Sequence, residues 1–289
     1  MLKFLQFLKE QKKEKGTFFI NSQGYAVLSP GPGIGSHKKN KKNLKEDTEQ
    51  HKLPSLDSLP GQYQKDPKDD FIQHEKKRIA FHDKTGKELS KIQHQPTPEE
   101  KQHIKAFTDY SGDLNEKLIK NHKENKPEHH GLTQSDKPRV KYDTHEKSIH
   151  EHIKRLASKP IGKELHVYSG TGFDPSKAAK ESKDGILHSP AHMSTSHDVD
   201  VADEFASQHT QKDENGKKTR HIMHVHLKPT DKAFHIGKKA TADFRYQNET
   251  VLPAGTKLKY SHTTHHDSGY NDPNFPHISV HHFTIHHQE

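Results

Sequence analysis

The chain has 289 residues, 27% of them hydrophobic and 30% charged, which is too polar for the whole length to close around one core. It contains no cysteine, so a disulfide framework, a thiolate metal site and a cysteine nucleophile are excluded. Lys and Arg number 47 against 39 Asp and Glu, a formal net charge of +8, which favours acidic surfaces and non-specific contact with nucleic acid.

The opening MLKFLQFLKEQKKEKG places Leu2, Phe4, Leu5 and Leu8 on one face of a short helix. Lys3 interrupts its apolar stretch and no small-residue cleavage site follows, so neither a signal peptide nor a membrane span is expected. TFFINSQGYAVLSPGPGIG reads as a strand or hairpin closed by Gly and Pro, making residues 1–35 a helix-and-hairpin leader. Residues 36–95 are polar and basic with sparse apolar positions, and read as a largely flexible linker holding one weak element near Phe71 to Phe81. The texture changes at TPEEKQHIKAFTDYSGDLNEKL. Thr97 caps a helix, Pro98 takes its first position and Glu100 completes a capping box. Ile104 and Phe107 follow at helical spacing, and Leu114 and Leu118 resume it after a Ser-Gly break.

A further helix over 145–158 is marked by Ile149, Ile153 and Leu156. HVYSGTGFDP reads as a strand running into a turn, and HDVDVADEFAS as a helix capped by Asp198 with Val201, Ala202 and Phe205 inward. HIMHVHLKP, TKLKY and HISVHHFTI alternate as strands. Helices first and strands later predict an α+β domain over 96–289. His224 and His226 share one strand face, and paired histidines recur at 129–130, 265–266, 281–282 and 286–287. Without Cys or a tight acidic partner they read as polar surface residues, and no metal is expected.

Three motifs stand in order: VYSG at 167–170, MSTS at 193–196 and FRYQNETVLPAGT at 244–256. Together they resemble the mono-ADP-ribosyltransferases of the Arg–Ser–Glu type, the toxin and bacteriophage branch, and the capped helix is similar to that family's opening helix. The resemblance covers about residues 96–289. It implies an ADP-ribosyltransferase-like α+β fold, two packed β-sheets with flanking helices around an NAD cleft. NAD is the implied substrate and a host protein the implied acceptor, with nicotinamide released.

Glu249 would be the carboxylate that stabilises the oxocarbenium-like transition state. Gln247 would face the acceptor, a pattern that goes with targets other than arginine. Ser194 would brace Glu249. Ser169, Gly170, Thr195 and Ser196 would frame the NAD side, and Phe244 and Tyr246 would hold the acceptor. Ser169 stands where the family carries arginine, and serine lacks that fork of charged donors. Three readings stay open: serine is tolerated there, another cation such as Arg155, Arg245 or a lysine replaces it, or the domain is weakened. The basic N-terminal region offers a non-specific nucleic-acid contact. Leu8-Lys9-Glu10 resembles a prohead-protease site, pointing to a bacteriophage-encoded protein packaged in the virion and acting in the host cytoplasm. The alternatives are an inactive, DNA-binding packaged protein and a transferase acting on a nucleic-acid base.

Overall fold

The computed structural model describes residues 18–20, 26–28, 53–121, 144–182, 184–208, 210–212, 218–239, 247–267 and 277–287. The expected N-terminal helix, the linker residues 36–52, Phe244, Arg245 and Tyr246 lie outside them. The chain divides into two compact units. In the first, Met1–His51, strands β1 (Phe18–Ile20) and β2 (Ala26–Leu28) pair antiparallel, with Phe18 opposite Leu28. The second, Lys52–Glu289, carries every other described element.

That unit starts well before residue 96, which corrects the linker reading. Residues 71–92 form a 22-residue helix, α1 (Phe71–Ile92), whose first turn is capped by the Asp70 carboxylate accepting from Gln73 N at 2.8 Å. Its buried face is His82, Gly86 and Leu89. Phe71 and Phe81, which marked the expected weak element, are exposed, and so is Ile92. Ahead of α1, Gln62 reaches across to the later chain. Its Nε2 donates to His197 O at 2.7 Å and its Oε1 accepts from Val199 N at 3.0 Å.

Helix α2 (Pro98–Asn121) begins on the expected capping box, with Thr97 N donating to Glu100 Oε2 at 2.7 Å and Glu100 N to Thr97 Oγ1 at 3.2 Å. It runs unbroken through Ser111 and Gly112, because one glycine costs a helix only about 1 kcal/mol and the flanking apolar residues are packed. Helix α3 (Thr144–Ala157) lies beside it. Ile104, Phe107 and Leu114 meet Ile149, Ile153 and Leu156 in one buried cluster.

The strands are β3 (Leu165–Thr171), β4 (Ile186–Ser189), β5 (Met193–Ser196), β6 (Gln211–Lys212), β7 (Lys218–Leu227), β8 (Phe234–His235), β9 (Glu249–Leu252), β10 (Thr256–His266) and β11 (Ile278–Ile285). Helices α4 (Pro175–Glu181) and α5 (Val199–Gln208) follow β3 and β5. The order is β4-β10-β11-β7-β3-β5-β9-β8, with β6 paired to β7. Among the described strands only β11 and β7 pair in parallel. Instead of two separate sheets, the halves are joined at one register pair, Tyr168 opposite Ser196.

They still pack as two layers, as side-chain alternation in β9 shows. Leu252 joins Val225, Leu258 and Phe283 of the larger half, whereas Val251 joins the α2–α3 cluster. The small half, β5-β9-β8, is therefore covered on both faces, and every residue of β9 is buried. On the far face of the larger half, Tyr168, Ile222 and Val280 pack under α5 with Leu59.

The histidines depart from the surface reading. His224 stacks on Tyr168 and is buried, and His197, His235, His266 and His281 are buried as well. Many satisfy one another, such as His224 with His166 at 2.9 Å and with His282 at 2.7 Å. Among the described residues no helix is long and apolar enough to cross a membrane.

Candidate active site

The single pair between β3 and β5 leaves the strand ends splayed, and a cleft of about 790 Å3 opens there, within the range of small-molecule and cofactor sites. Ser169, Gly170, Ser194, Thr195, Ser196, Gln247 and Glu249 all line it. Three motifs from separate regions of the chain thus meet around one space.

Ser169 sits one residue past the joining pair, and its Oγ donates to Ser194 O at 3.0 Å. It ties β3 to β5 where the ladder has stopped. Gly170 has a packing reason for its identity. A Cβ there would lie 2.2 Å from Ala202 O and 2.4 Å from Ala206 N, both backbone atoms of α5. Gly170→Ala is therefore expected to push α5 off β3 and cost about 1–3 kcal/mol or more. The check is a thermal melt, and an unchanged Tm would show that α5 gives way freely.

Glu249 opens β9 at the cleft with only 7% of its surface exposed. Burial pushes its carboxyl up to about 7, and a hydrogen bond from the Ser194 side chain pulls the other way. Ser194 itself is exposed to the cleft. The turn before Glu249 is fixed by Asn248, which holds a positive φ of 45°, a conformation asparagine tolerates better than most residues. Ser196 anchors that turn to the start of α5: its Oγ donates to Gln247 O at 2.6 Å and accepts from Asp198 N at 3.0 Å. Thr195 Oγ1 donates to Thr250 O at 2.6 Å. The Thr250 hydroxyl in turn lies between His197 Nε2 at 2.6 Å and His235 Nδ1 at 3.2 Å. The Ser-Thr-Ser strand thus braces the Gln-x-Glu turn from both of its faces.

Among the described residues lining the cleft there is no Lys or Arg. Arg155 is engaged elsewhere, its Nη2 2.5 Å from Glu100 Oε1. Burial holds His192, another lining residue, neutral by lowering its value to about 3. Of the sequence candidates, Phe244 and Tyr246 lie outside the described residues.

The structure adds positions that sequence reading missed. Thr108, Ser111 and Asn115 form a polar stripe on α2 facing the cleft, legible in retrospect as spacing i, i+3, i+7. Asn115 Oδ1 is buried without a protein partner, an acceptor left for a ligand donor. Phe205, expected inward, is 39% exposed and lines the cleft. Arg78 of α1 pairs with the buried Asp198 and with Glu75, clamping the end of the Ser-Thr-Ser segment.

A family model, the ADP-ribosyltransferase exoenzyme, matches residues 82–273, two thirds of the chain and all three motifs. The chain belongs to the ADP-ribosyltransferase exoenzyme family. It is thus an NAD-dependent transferase with NAD as substrate. No curated protein matches the chain. Solved structures similar to it include Plx2a, an ADP-ribosyltransferase toxin from Paenibacillus larvae, at 15% identity over 72% of this chain and 96% of that one, with a TM-score of 0.45. The C3 exoenzyme of Clostridium limosum matches at 14% identity over 72% and 95% of the two chains, TM-score 0.45. Vis toxin from Vibrio splendidus matches at 14% identity over 77% and 89%, TM-score 0.45. The match of this ADP-ribosyltransferase to the family model begins inside α1, consistent with α1 belonging to the folded unit.

Proposed function

We propose that the chain cleaves the nicotinamide–ribose bond of NAD and passes the ADP-ribose to a host protein, on a side chain other than arginine. One observation carries this reading: the buried Glu249 carboxyl, hydrogen-bonded to Ser194, stands two residues after Gln247 on the same cleft. As the glycosidic bond breaks, its electron pair leaves with nicotinamide and positive charge develops on the ribose. The Glu249 carboxylate supplies the counter-charge in a water-poor site, where it is strongest. Ser194 orients that carboxylate. The acceptor then bonds to the ribose carbon and releases its proton to solvent, and Gln247 orients it by hydrogen bonding, since an amide does not take up a proton near neutral pH. Ser169, Gly170, Thr195 and Ser196 frame the NAD side, and the family resemblance assigns Phe244 and Tyr246 to the acceptor.

The test is incubation of the full chain with labelled NAD and host lysate, with and without nuclease. Nuclease-resistant label on protein together with free nicotinamide is the expected result. Label lost on nuclease treatment would move the acceptor to nucleic acid, and neither product would overturn the reading. The pH dependence follows from the carboxyl. Only its ionised form stabilises positive charge, so kcat/KM for NAD cleavage should rise about tenfold per pH unit below about 7 and level off above it. A flat profile from pH 5.5 to 8.5 would remove Glu249 ionisation from the rate.

A further inference from the structure

We propose that Asp174, His221 and His281 form a binding site for a late first-row divalent cation of the Zn2+ kind, a site separate from the Glu249 centre. The three come from different elements on one face of the larger half: Asp174 from the turn between β3 and α4, His221 from β7 and His281 from β11. One ligand atom from each lies within 4.8 Å of the other two. His221 Nδ1 is 2.9 Å from His281 Nε2, and His281 Nε2 is 3.7 Å from Asp174 Oδ1. Donors around a tetrahedral Zn2+ at about 2.0–2.1 Å sit about 3.3 Å apart, so the two spacings bracket what a cation needs. Two imidazoles and one carboxylate suit Zn2+ and its neighbours rather than Mg2+ or Ca2+.

The surroundings are those of a held site. The other nitrogen of His281, Nδ1, bonds the Thr263 hydroxyl at 2.9 Å, which leaves Nε2 facing Asp174 and His221. A ligating histidine is commonly fixed this way through its second nitrogen. Thr263 is held in turn by Tyr260 at 2.8 Å. Asp174 is locked as the cap of α4, its Oδ1 accepting from Ser176 N at 2.9 Å, Ser176 Oγ at 2.7 Å and Lys177 N at 3.2 Å. His281 is 2% exposed. The two other carboxylate–histidine groups are built differently. Among the described residues, both of those draw on exposed carboxylates, Glu99 and Glu164. Phe173, next to Asp174, lines the cleft. A cation here would pin the β3–α4 turn to β7 and β11, fixing one wall of the cleft.

The experiment is calorimetric titration of the full chain, stripped with chelator, with ZnCl2, alongside thermal melts. One site of micromolar affinity or tighter is expected, with Tm rising as it fills. His221→Gln and His281→Gln should each weaken it at least tenfold, and Thr263→Val about 10–100-fold, while His226→Gln and Glu99→Gln leave it unchanged. Unchanged affinity in His221→Gln and His281→Gln would overturn the assignment. Should those variants fail to fold, the wild type decides. X-ray absorption of the 1:1 zinc complex should show two imidazoles and a carboxylate oxygen. Any other imidazole count, or no complex at micromolar zinc, would sink the proposal.

Discussion

Glu249→Gln is expected to lower NAD cleavage and ADP-ribose transfer on the order of 10²-fold or more, and at the same time to make the unliganded protein more stable above neutral pH. Both effects come from one fact. The folded chain buries a carboxyl and raises it from about 4.5 to about 7. A group raised on folding contributes its full stability below its unfolded value and loses it as pH climbs through the folded one. For Glu249 that window is about pH 4.5 to 7, and the loss approaches about 3 kcal/mol. Glutamine carries no charge and is spared it, so the variant should melt several degrees higher at pH 8 and nearly level with the wild type at pH 5. The measurement is a pair of melts at each pH beside an NAD-cleavage assay. A merely structural glutamate would give a variant that melts lower and keeps its rate within a few-fold. A strained functional carboxylate gives the opposite pair.

What was legible in the chain was what is encoded locally. The capping box at Thr97 and Glu100, the alternation of HIMHVHLKP and the periodicity of Ile149, Ile153 and Leu156 each sit within one element, and each forms as expected. The three motifs were legible because their order carries information that no single one does. Helix α1 was not, because its inward face is made of His82, Gly86 and Leu89. Two of those three are invisible to a hydropathy pattern, while the apolar Phe71, Phe81 and Ile92 point outward. A Cβ at Gly86 would come within 3.0 Å of His235 Nε2, so smallness rather than apolarity suits that position. The histidines misled for a related reason. A lone buried imidazole is costly, but His166, His224 and His282 satisfy one another across three strands, a pairing that exists only once the sheet is assembled. Ser169 stands where the resemblance expects an arginine, and its local contact is not written in the motif. Its hydroxyl holds two splayed strands together, a role set by β5, 25 residues away in the chain.

Removing residues 1–51 should leave a cooperatively folding, active transferase, whereas removing 1–95 should abolish the cooperative transition. Every described cleft residue and core cluster lies beyond residue 52, so the shorter deletion touches none of them. The longer one takes Leu89 from the core between the layers and Leu59 from beneath α5. Each such loss costs about 2–5 kcal/mol. It also takes Arg78 from Asp198, which is 4% exposed and would be left without its cation, at about 3–5 kcal/mol. The Gln62 clamp on His197 O and Val199 N goes with them. These losses together match or exceed the whole stability of an ordinary domain, about 5–15 kcal/mol. Circular dichroism melts of 52–289 and 96–289 read the outcome directly. A 96–289 fragment that unfolds in one sharp transition within a few degrees of 52–289 would show that α1 decorates the fold; a broad, non-cooperative loss of signal is what its buried face requires.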